Sequence, residues 1–193
     1  MMPKPPAPAA ARITVLTAAH APAYKALRDE ALRCAPEAFT SDYATAVQRP
    51  AEAYAPRLAL PADEGFFLGA WDADGSLLGS IGCEREQRAQ QRHMATVVAM
   101  MVAPTAQRRG IGRQLLQACL ARAGQISGLE QLVLTVTADN AHAVRLYQSA
   151  GFTPYGRLPR AIVVAGVGYD KLHMLRLLPS SPRWQSTAPH EDH

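Results

Sequence analysis

The chain has 193 residues, 48% of them hydrophobic, which is the size of one domain with a substantial buried core. Its 20 basic and 16 acidic residues give a formal net charge of +4. That charge suits an anionic ligand but, with only 6% aromatic residues, is too small to indicate a nucleic-acid partner. The three cysteines are widely spaced and odd in number, and no apolar stretch is long enough to cross a bilayer. We therefore expect a reduced, cytoplasmic protein that does not span a membrane.

In the first part of the chain, most secondary-structure elements are predicted by local patterns, but one segment is not. Residues 12–17 predict a short strand and residues 21–35 a helix, because apolar side chains recur there at helical spacing. The segment 36–64 is interrupted by prolines and predicts only a loop and a short helix. Two apolar runs, 65–72 and 76–86, meet at the turn sequence DADG and predict a β-hairpin.

The second part of the chain predicts strands and helices in alternation. MATVVAMMVAP, residues 94–104, is apolar on both faces, as in the central strand of a sheet. The elements predicted after it are a helix over 110–126, a strand over 129–138, a helix over 139–151, and closing strands over 152–159 and 167–178. The whole pattern predicts a mixed α/β fold.

The two ends of the chain differ from the rest in composition. Residues 1–11 are rich in proline and alanine, and residues 179–193 are polar and turn-forming, so both segments are predicted to be disordered. A single domain is therefore predicted over 12–178.

The sequence QRRGIG, residues 107–112, stands between the central strand and the next helix. Glycines allow a sharp turn and a close ligand approach, and the free N–H groups of the first helical turn point at an anion. Three arginines oppose the helix dipole there, at about 0.3–1 kcal/mol each, and a bound polyphosphate would relieve that conflict. The residues predicted to bind phosphate are Gln107, Arg108, Arg109, Gly110, Ile111, Gly112 and Arg113.

Two other phosphate-binding patterns do not match this turn. The nucleoside triphosphatase pattern G-x-x-x-x-G-K-[ST] is absent, and Leu115 stands where a dinucleotide-binding fingerprint has its third glycine. An exposed helix start with incidental arginines remains the alternative if the turn is taken alone.

Two longer stretches resemble the GNAT N-acetyltransferase superfamily. VVAMMVAPTAQRRGIGRQLLQACLARA resembles its acetyl-CoA-binding core, which is a bulged apolar strand, V-x-P, [QR]-x-x-G-x-[GA] and an amphipathic helix. LTVTADNAHAVRLYQSAGF is similar to the family's next strand, followed by an Asn, a helix with a Tyr and a final Gly-Phe. The resemblance covers about residues 94–152 and implies a mostly antiparallel sheet of six to seven strands. Helices would flank that sheet, and its strands 4 and 5 would splay apart.

The resemblance also implies how the cofactor would bind. Acetyl-CoA would place its pyrophosphate on the amides of 107–113 and its pantetheine arm against the backbone of Met101 and Val102. Asn140 would contact that arm. The reaction implied is direct acetyl transfer to a primary amine, with no acyl-enzyme. No metal is expected either, because the six histidines are dispersed.

Two residues are candidates for proton transfer. The resemblance gives Tyr147 the role of protonating the departing thiolate, whereas helical periodicity alone favours a core residue. Many relatives carry a carboxylate base on the fourth strand, but that strand has no ionisable group here. Glu84 is the first substitute, and the alternatives are His93, Asp170, His173 or a chain of water molecules.

The acceptor and the partners are less constrained. Glu37, Asp42 and Tyr43 are candidates to attract a cationic amine. The alternative function is an acyl-CoA-binding sensor or interaction module with little turnover, which the missing carboxylate favours and Tyr147 disfavours. Dimers are common in the family, so a homodimer is one expectation.

Overall fold

The computed structural model describes residues 11–179. The segments predicted to be disordered, 1–11 and 179–193, lie outside the described residues except for Ala11 and Pro179. The strands are β1 (Arg12–Val15), β2 (Gly65–Trp71), β3 (Leu77–Arg85), β4 (Met94–Val102), β5 (Gln131–Thr137), β6 (Thr153–Val164) and β7 (Val167–Leu177). The α-helices are α1 (Ala21–Cys34), α2 (Tyr43–Val47), α3 (Ala55–Leu58), α4 (Ile111–Ala123) and α5 (Ala141–Ser149).

The strands form one seven-stranded sheet in the order β1-β2-β3-β4-β5-β7-β6. Every neighbouring pair is antiparallel except β4 and β5, which run parallel. The run that was apolar on both faces, β4, is the middle strand, as predicted. The mixed α/β fold class is confirmed.

Helices cover both faces of the sheet. Successive residues of a strand point to opposite faces, and β2 shows this with two adjacent phenylalanines. Phe67 packs edge-on against Tyr24 of α1, with ring centroids 5.9 Å apart. Phe66 lies under the guanidinium of Arg122 from α4, 5.2 Å from its ring centroid. Thus α1 and α4 bury opposite faces of the same strand.

The segment 36–64 is more ordered than the sequence predicts. It contains α2, α3 and two short 3₁₀ turns, Pro36–Ala38 and Ala51–Tyr54. Three of its prolines, Pro36, Pro50 and Pro56, stand at the first turns of these short helices or just before them, where a missing N–H is tolerated. They therefore begin helices as well as ending them.

The sixth strand is longer than predicted. Residues 160–164 continue β6 beyond Pro159, and the register against β7 shifts between Leu158 and Ile162. Because β6 is the last strand of the sheet, it can hold a proline without losing a bond to an outer neighbour.

A buried polar cluster binds the segment after α1 to strands β5 and β7. Lys171 of β7 is 5% exposed, and its Nζ donates to Thr137 Oγ1 at 2.8 Å and to the Ala38 carbonyl at 3.0 Å. Thr137 Oγ1 donates in turn to the Glu37 carbonyl at 2.7 Å. These bonds hold residues 37–38 against the C-terminal end of β5.

No helix between residues 11 and 179 is long and apolar enough to cross a membrane.

Candidate active site

A gap opens between β4 and β5. The two strands pair only over Met94–Thr96 with Gln131–Val133, at their N-terminal ends. Beyond Thr96, β4 pairs on one side only, with β3. The other edge of β4 therefore presents unpaired backbone groups to the gap, where an extended ligand can add like a strand.

The end of β4 is bent by a bulge. Ala99 has a φ of 51°, which is uncommon for a residue with a side chain, and the pairing with β3 shifts register there. Ser80, fully buried on β3, donates its Oγ to the Ala99 carbonyl at 3.0 Å. Sequence reasoning missed Ser80, although a lone hydroxyl inside an apolar strand was the available signal. Past the bulge, Met101 and Val102 pair with β3 again.

The turn before α4 leaves backbone amides uncapped. Gly110 is the N-cap, with a φ of 77°, and no side chain accepts from the amides of the first turn. Arg108 also has a left-handed backbone, with a φ of 62°. The N–H groups of residues 111–113 thus lack helical partners and face outward from the helix start. This geometry is that of an anion site.

The arginines of the turn are placed differently from one another. Arg108 and Arg113 are exposed, whereas Arg109 lies 3.6 Å from the carboxylate of Asp72, in the turn between β2 and β3. Asp72 therefore balances one of the three positive charges near the positive end of the α4 dipole. Neither Arg108 nor Arg113 forms an ion pair with any residue from 11 to 179, so an anion at this helix start remains favourable.

Gly112 lies beside the gap. A Cβ added to it would stand 3.5 Å from Leu146 Cδ2 and 3.8 Å from Val102 Cγ2, which is ordinary contact. The lack of a side chain at Gly112 therefore lets the start of α4 lie close to Val102, at the end of β4, and to Leu146 of α5. The uncapped amides are thus close to the end of β4, whose outer edge faces the gap.

Asn140 and Tyr147 are positioned by α5, the first as its N-cap residue and the second as its buried residue. Asn140 caps the helix, and its Oδ1 accepts from the Ala143 amide at 3.0 Å. Tyr147 is 6% exposed, packs edge-on against Phe152 at 5.9 Å, and makes no hydrogen bond through Oη within residues 11–179. Burial, with a smaller contribution from the nearby Cys119 thiol, raises the pKa of Tyr147 well above its ordinary value. The phenol therefore stays protonated at neutral pH.

Glu84 lies close to the point where the gap opens. It pairs in register with Thr96, the last β4 residue that also pairs with β5. Arg57 of α3 donates to both of its carboxylate oxygens, at 2.5 and 3.1 Å. Glu84, Thr96 and Val98 line an open surface cleft of about 610 Å³ on this side of the sheet.

The other candidate bases have local roles. Asp170 accepts from the Arg160 amide at 2.8 Å and from Arg157 at 2.7 Å. The Arg160 amide bond, followed by the Arg157 bond, holds the pKa of Asp170 below its ordinary value, which makes it a weak base. His173 packs against the Tyr155 ring at 5.9 Å, and the carbonyl of His93 joins β4 to the start of β5.

The candidates for amine attraction are dispersed. Asp42 caps α2 by accepting from the Thr45 amide at 2.7 Å, and Tyr43 is exposed. Glu37 contributes its carbonyl to the cluster around Lys171. For metal binding, no three His, Cys, Asp or Glu side chains in the described part of the chain are grouped closely enough to hold an ion.

The sequence matches the Acetyltransferase (GNAT) family over residues 24–152, about two thirds of the chain. The chain belongs to the GNAT family. This matched region begins in α1 and ends just after α5, so it contains the gap, the α4 turn and Tyr147. GNAT membership supports acetyl transfer and does not favour the sensor or interaction module.

Two curated relatives show the extent of this similarity. The chain is 41% identical over 91 residues to a mycothiol acetyltransferase of Geodermatophilus obscurus, which is 46% of this chain and 29% of that protein. It is 38% identical over 82 residues to the peptidyl-lysine N-acetyltransferase YiaC of Escherichia coli, which is 42% of this chain and 47% of that protein. The chain thus matches less than half the length of either relative.

Solved structures share the whole fold. A GCN5-related N-acetyltransferase from Kribbella flavida superposes with a TM-score of 0.75 at 29% identity, over 88% of this chain and 98% of that one. A GNAT phosphinothricin acetyltransferase from Sinorhizobium meliloti, solved in complex with AcCoA, gives a TM-score of 0.79 at 18% identity. That match covers 93% of this chain and 95% of that one, and it shows the fold alone.

Proposed function

We propose that the protein transfers an acetyl group from acetyl-CoA directly to a primary amine. The observation that carries this proposal is the continuity of three features within one GNAT fold. These are the uncapped amides before α4, the close approach of Gly112 to the end of β4, and the open edge of β4. Together they suit a ligand with an anionic head and an extended arm.

The cofactor contacts follow from that continuity. The pyrophosphate binds on the amides of Gln107–Arg113, with the side chains of Arg108 and Arg113 adding positive charge. The pantetheine arm pairs with the backbone of Met101 and Val102 along the free edge of β4. Asn140 Oδ1 is occupied by its own helix, so the contact with the arm comes from its side-chain amide NH₂.

The chemistry requires one proton to be removed and another to be supplied. The amine attacks the thioester carbon, and the thiolate leaves as the tetrahedral intermediate collapses. Tyr147 donates to the sulfur, because its buried phenol is neutral and its Oη has no other hydrogen bond within residues 11–179. A raised pKa makes full transfer to an ordinary thiolate of pKa near 8.5 uphill. The donation is efficient only if the sulfur is desolvated at the same site.

Glu84 is the proposed acceptor for the proton of the amine. Its ion pair with Arg57 holds the carboxylate in place. An α-amine near pKa 8 suits this site better than a lysine-like amine near 10.4, which costs roughly 4–5 kcal/mol to neutralise at pH 7. We also propose that residues 12–178 form one catalytic domain. We propose that this domain acts in the cytoplasm and assembles as a homodimer.

The test is thiol release from acetyl-CoA with a panel of amines, comparing wild type with Tyr147→Phe. Release that depends on an amine and is slowed by the substitution supports the proposal. Tight CoA binding without thiol release on any amine would contradict it and would support the binding module instead.

A further inference from the structure

The inner side of α1 carries buried polar atoms that the fold itself does not satisfy. Tyr24 is fully buried, and its Oη has no hydrogen-bond partner within residues 11–179. Arg28, one turn later on the same helix, has a buried Nε that also lacks a partner. Buried polar groups are nearly always hydrogen-bonded, so two unpartnered donors on one helix face need an explanation.

These donors belong to an aromatic and basic cluster. The Tyr24 ring lies 5.6 Å from the Tyr54 ring and 5.9 Å from the Phe67 ring. Arg28 lies over Tyr54 at 6.0 Å, and Arg57 lies over Phe67 at 5.0 Å. The cluster holds both guanidinium groups and both phenols within a small volume.

The charge of this cluster is not balanced. Arg57 is neutralised by its two bonds to Glu84. The only side-chain hydrogen bond of Arg28 within residues 11–179 is to the neutral Ser41 Oγ, at 2.9 Å. The nearby Lys25 and Asp29 pair with each other, although Asp29 Oδ1 is left without a partner. One positive charge therefore remains among the groups of this cluster in residues 11–179. Tyr24 Oη and Arg28 Nε can both donate, so a single negatively charged acceptor would satisfy both of them.

The cluster lies over β2 and β3, on the face of the sheet that carries Glu84. Glu84, which Arg57 holds, is one strand away from the last paired residue of β4. On the other side, the carbonyls of Glu37 and Ala38 are fastened to the end of β5. Ser41 follows Ala38 by three residues, within about 10 Å of chain. The bond between Arg28 and Ser41 therefore links α1 to the segment that is held at the C-terminal end of β5.

We propose that Arg28 and Tyr24 bind an oxyanion of the acceptor, so that the acceptor is an amine that also carries a carboxylate or a similar anionic group. This inference rests on the proposed function, because it places the amine of the same molecule near Glu84. It names a substrate class, amino acids and their analogues, and two specificity residues on α1.

The test compares each standard amino acid with its carboxamide, which keeps the amine and removes the negative charge. Wild type should use the best amino acid with a kcat/KM roughly 10- to 100-fold above that of its amide, mainly through KM, which is the size of one charge-assisted hydrogen bond. Aminophosphonates and aminosulfonates in a second arm identify which oxyanion fits best. Arg28→Gln should remove most of the preference, and Arg33→Gln, at an exposed position of the same helix, should retain it.

Tyr24→Phe provides a variant that leaves the fold intact. Its hydroxyl has no hydrogen-bond partner in the described part of the chain, so its removal should leave Tm unchanged or raise it while the preference for acids falls. Equal use of acids and amides by wild type, or a preference that survives both Arg28→Gln and Tyr24→Phe, would overturn the inference and leave the proposed function standing.

A failure of the proposed function gives a different result. If no amine releases thiol, calorimetry of amino acids with the CoA-bound protein decides the inference alone. Binding that Arg28→Gln abolishes supports the site, and absence of binding by any amino acid overturns it.

Discussion

Gly112 allows cofactor binding to be separated from folding. The Cβ that Gly112→Asp adds meets only Leu146 and Val102, at 3.5 and 3.8 Å, so no steric damage to the fold is expected. A carboxylate in the first turn of α4 stabilises the helix by about 0.3–1 kcal/mol. Replacing a helical glycine stabilises the folded protein by at most about 1 kcal/mol more, because the unfolded chain loses conformational freedom. The Tm of the variant should therefore stay the same or rise.

CoA affinity should change in the opposite direction. Two like charges about 5 Å apart repel by about 3 kcal/mol at an effective dielectric of about 20, which corresponds to about a 200-fold loss of affinity from a single phosphate charge. Gly112→Ala is the matched control, because it adds the same Cβ without adding charge and should weaken binding much less.

Calorimetric titration with CoA and thermal unfolding of the three proteins are the assays. Unchanged affinity in Gly112→Asp would mean that the turn is not the pyrophosphate site. A fall in Tm of several degrees would mean that the fold requires a glycine at position 112 for packing. Cofactor binding could then not be separated from folding at this residue.

Four other predictions concern the same site and its surroundings. Gly110→Ala forces a side chain into a φ of 77°, so it should cost about 1 kcal/mol and lower Tm by about 2–4 °C in thermal unfolding. Tyr147→Phe should lower kcat by about 10²-fold with little change in KM for acetyl-CoA, and the reverse pattern in steady-state kinetics would make Tyr147 a binding residue. Lys171→Met leaves the carbonyl of Ala38 without its donor, so it should cost about 1–3 kcal/mol in urea unfolding and raise KM for the amine while CoA affinity is retained. Burial raises the pKa of Tyr24 and Tyr147, so the stability that they contribute is full below about pH 10 and is lost as pH rises above it. Urea unfolding at about pH 9 and 11 should show this loss, and a smaller one in Tyr24→Phe.

Local signals explain why the second half of the fold could be predicted. The turn at Gly110 requires a left-handed residue, and α4 begins at Ile111 as the periodicity indicates. An apolar run between polar loops predicted β4, and Asn140 marked the start of α5 by capping it. Each of these features is encoded within a few residues of its own position.

The rest depends on contacts between residues far apart in sequence. The start of segment 36–64, at Glu37 and Ala38, accepts hydrogen bonds from Thr137 and Lys171, which are more than 90 residues away. The composition of the segment therefore predicts little of its position. The ion pair of Arg57 with Glu84, the candidate base, also joins residues that are distant in sequence, so no local pattern predicts it. Asp72 similarly takes Arg109 from the set of arginines free to meet a phosphate.

The most direct test of the central claim is a titration of ¹⁵N-labelled protein with CoA, followed by amide NMR. The account predicts that the amides of residues 107–113 shift first and most, with Met101 and Val102 following as the free edge of β4 gains a partner. Saturating CoA that leaves the amides of 107–113 unshifted while others move would contradict it.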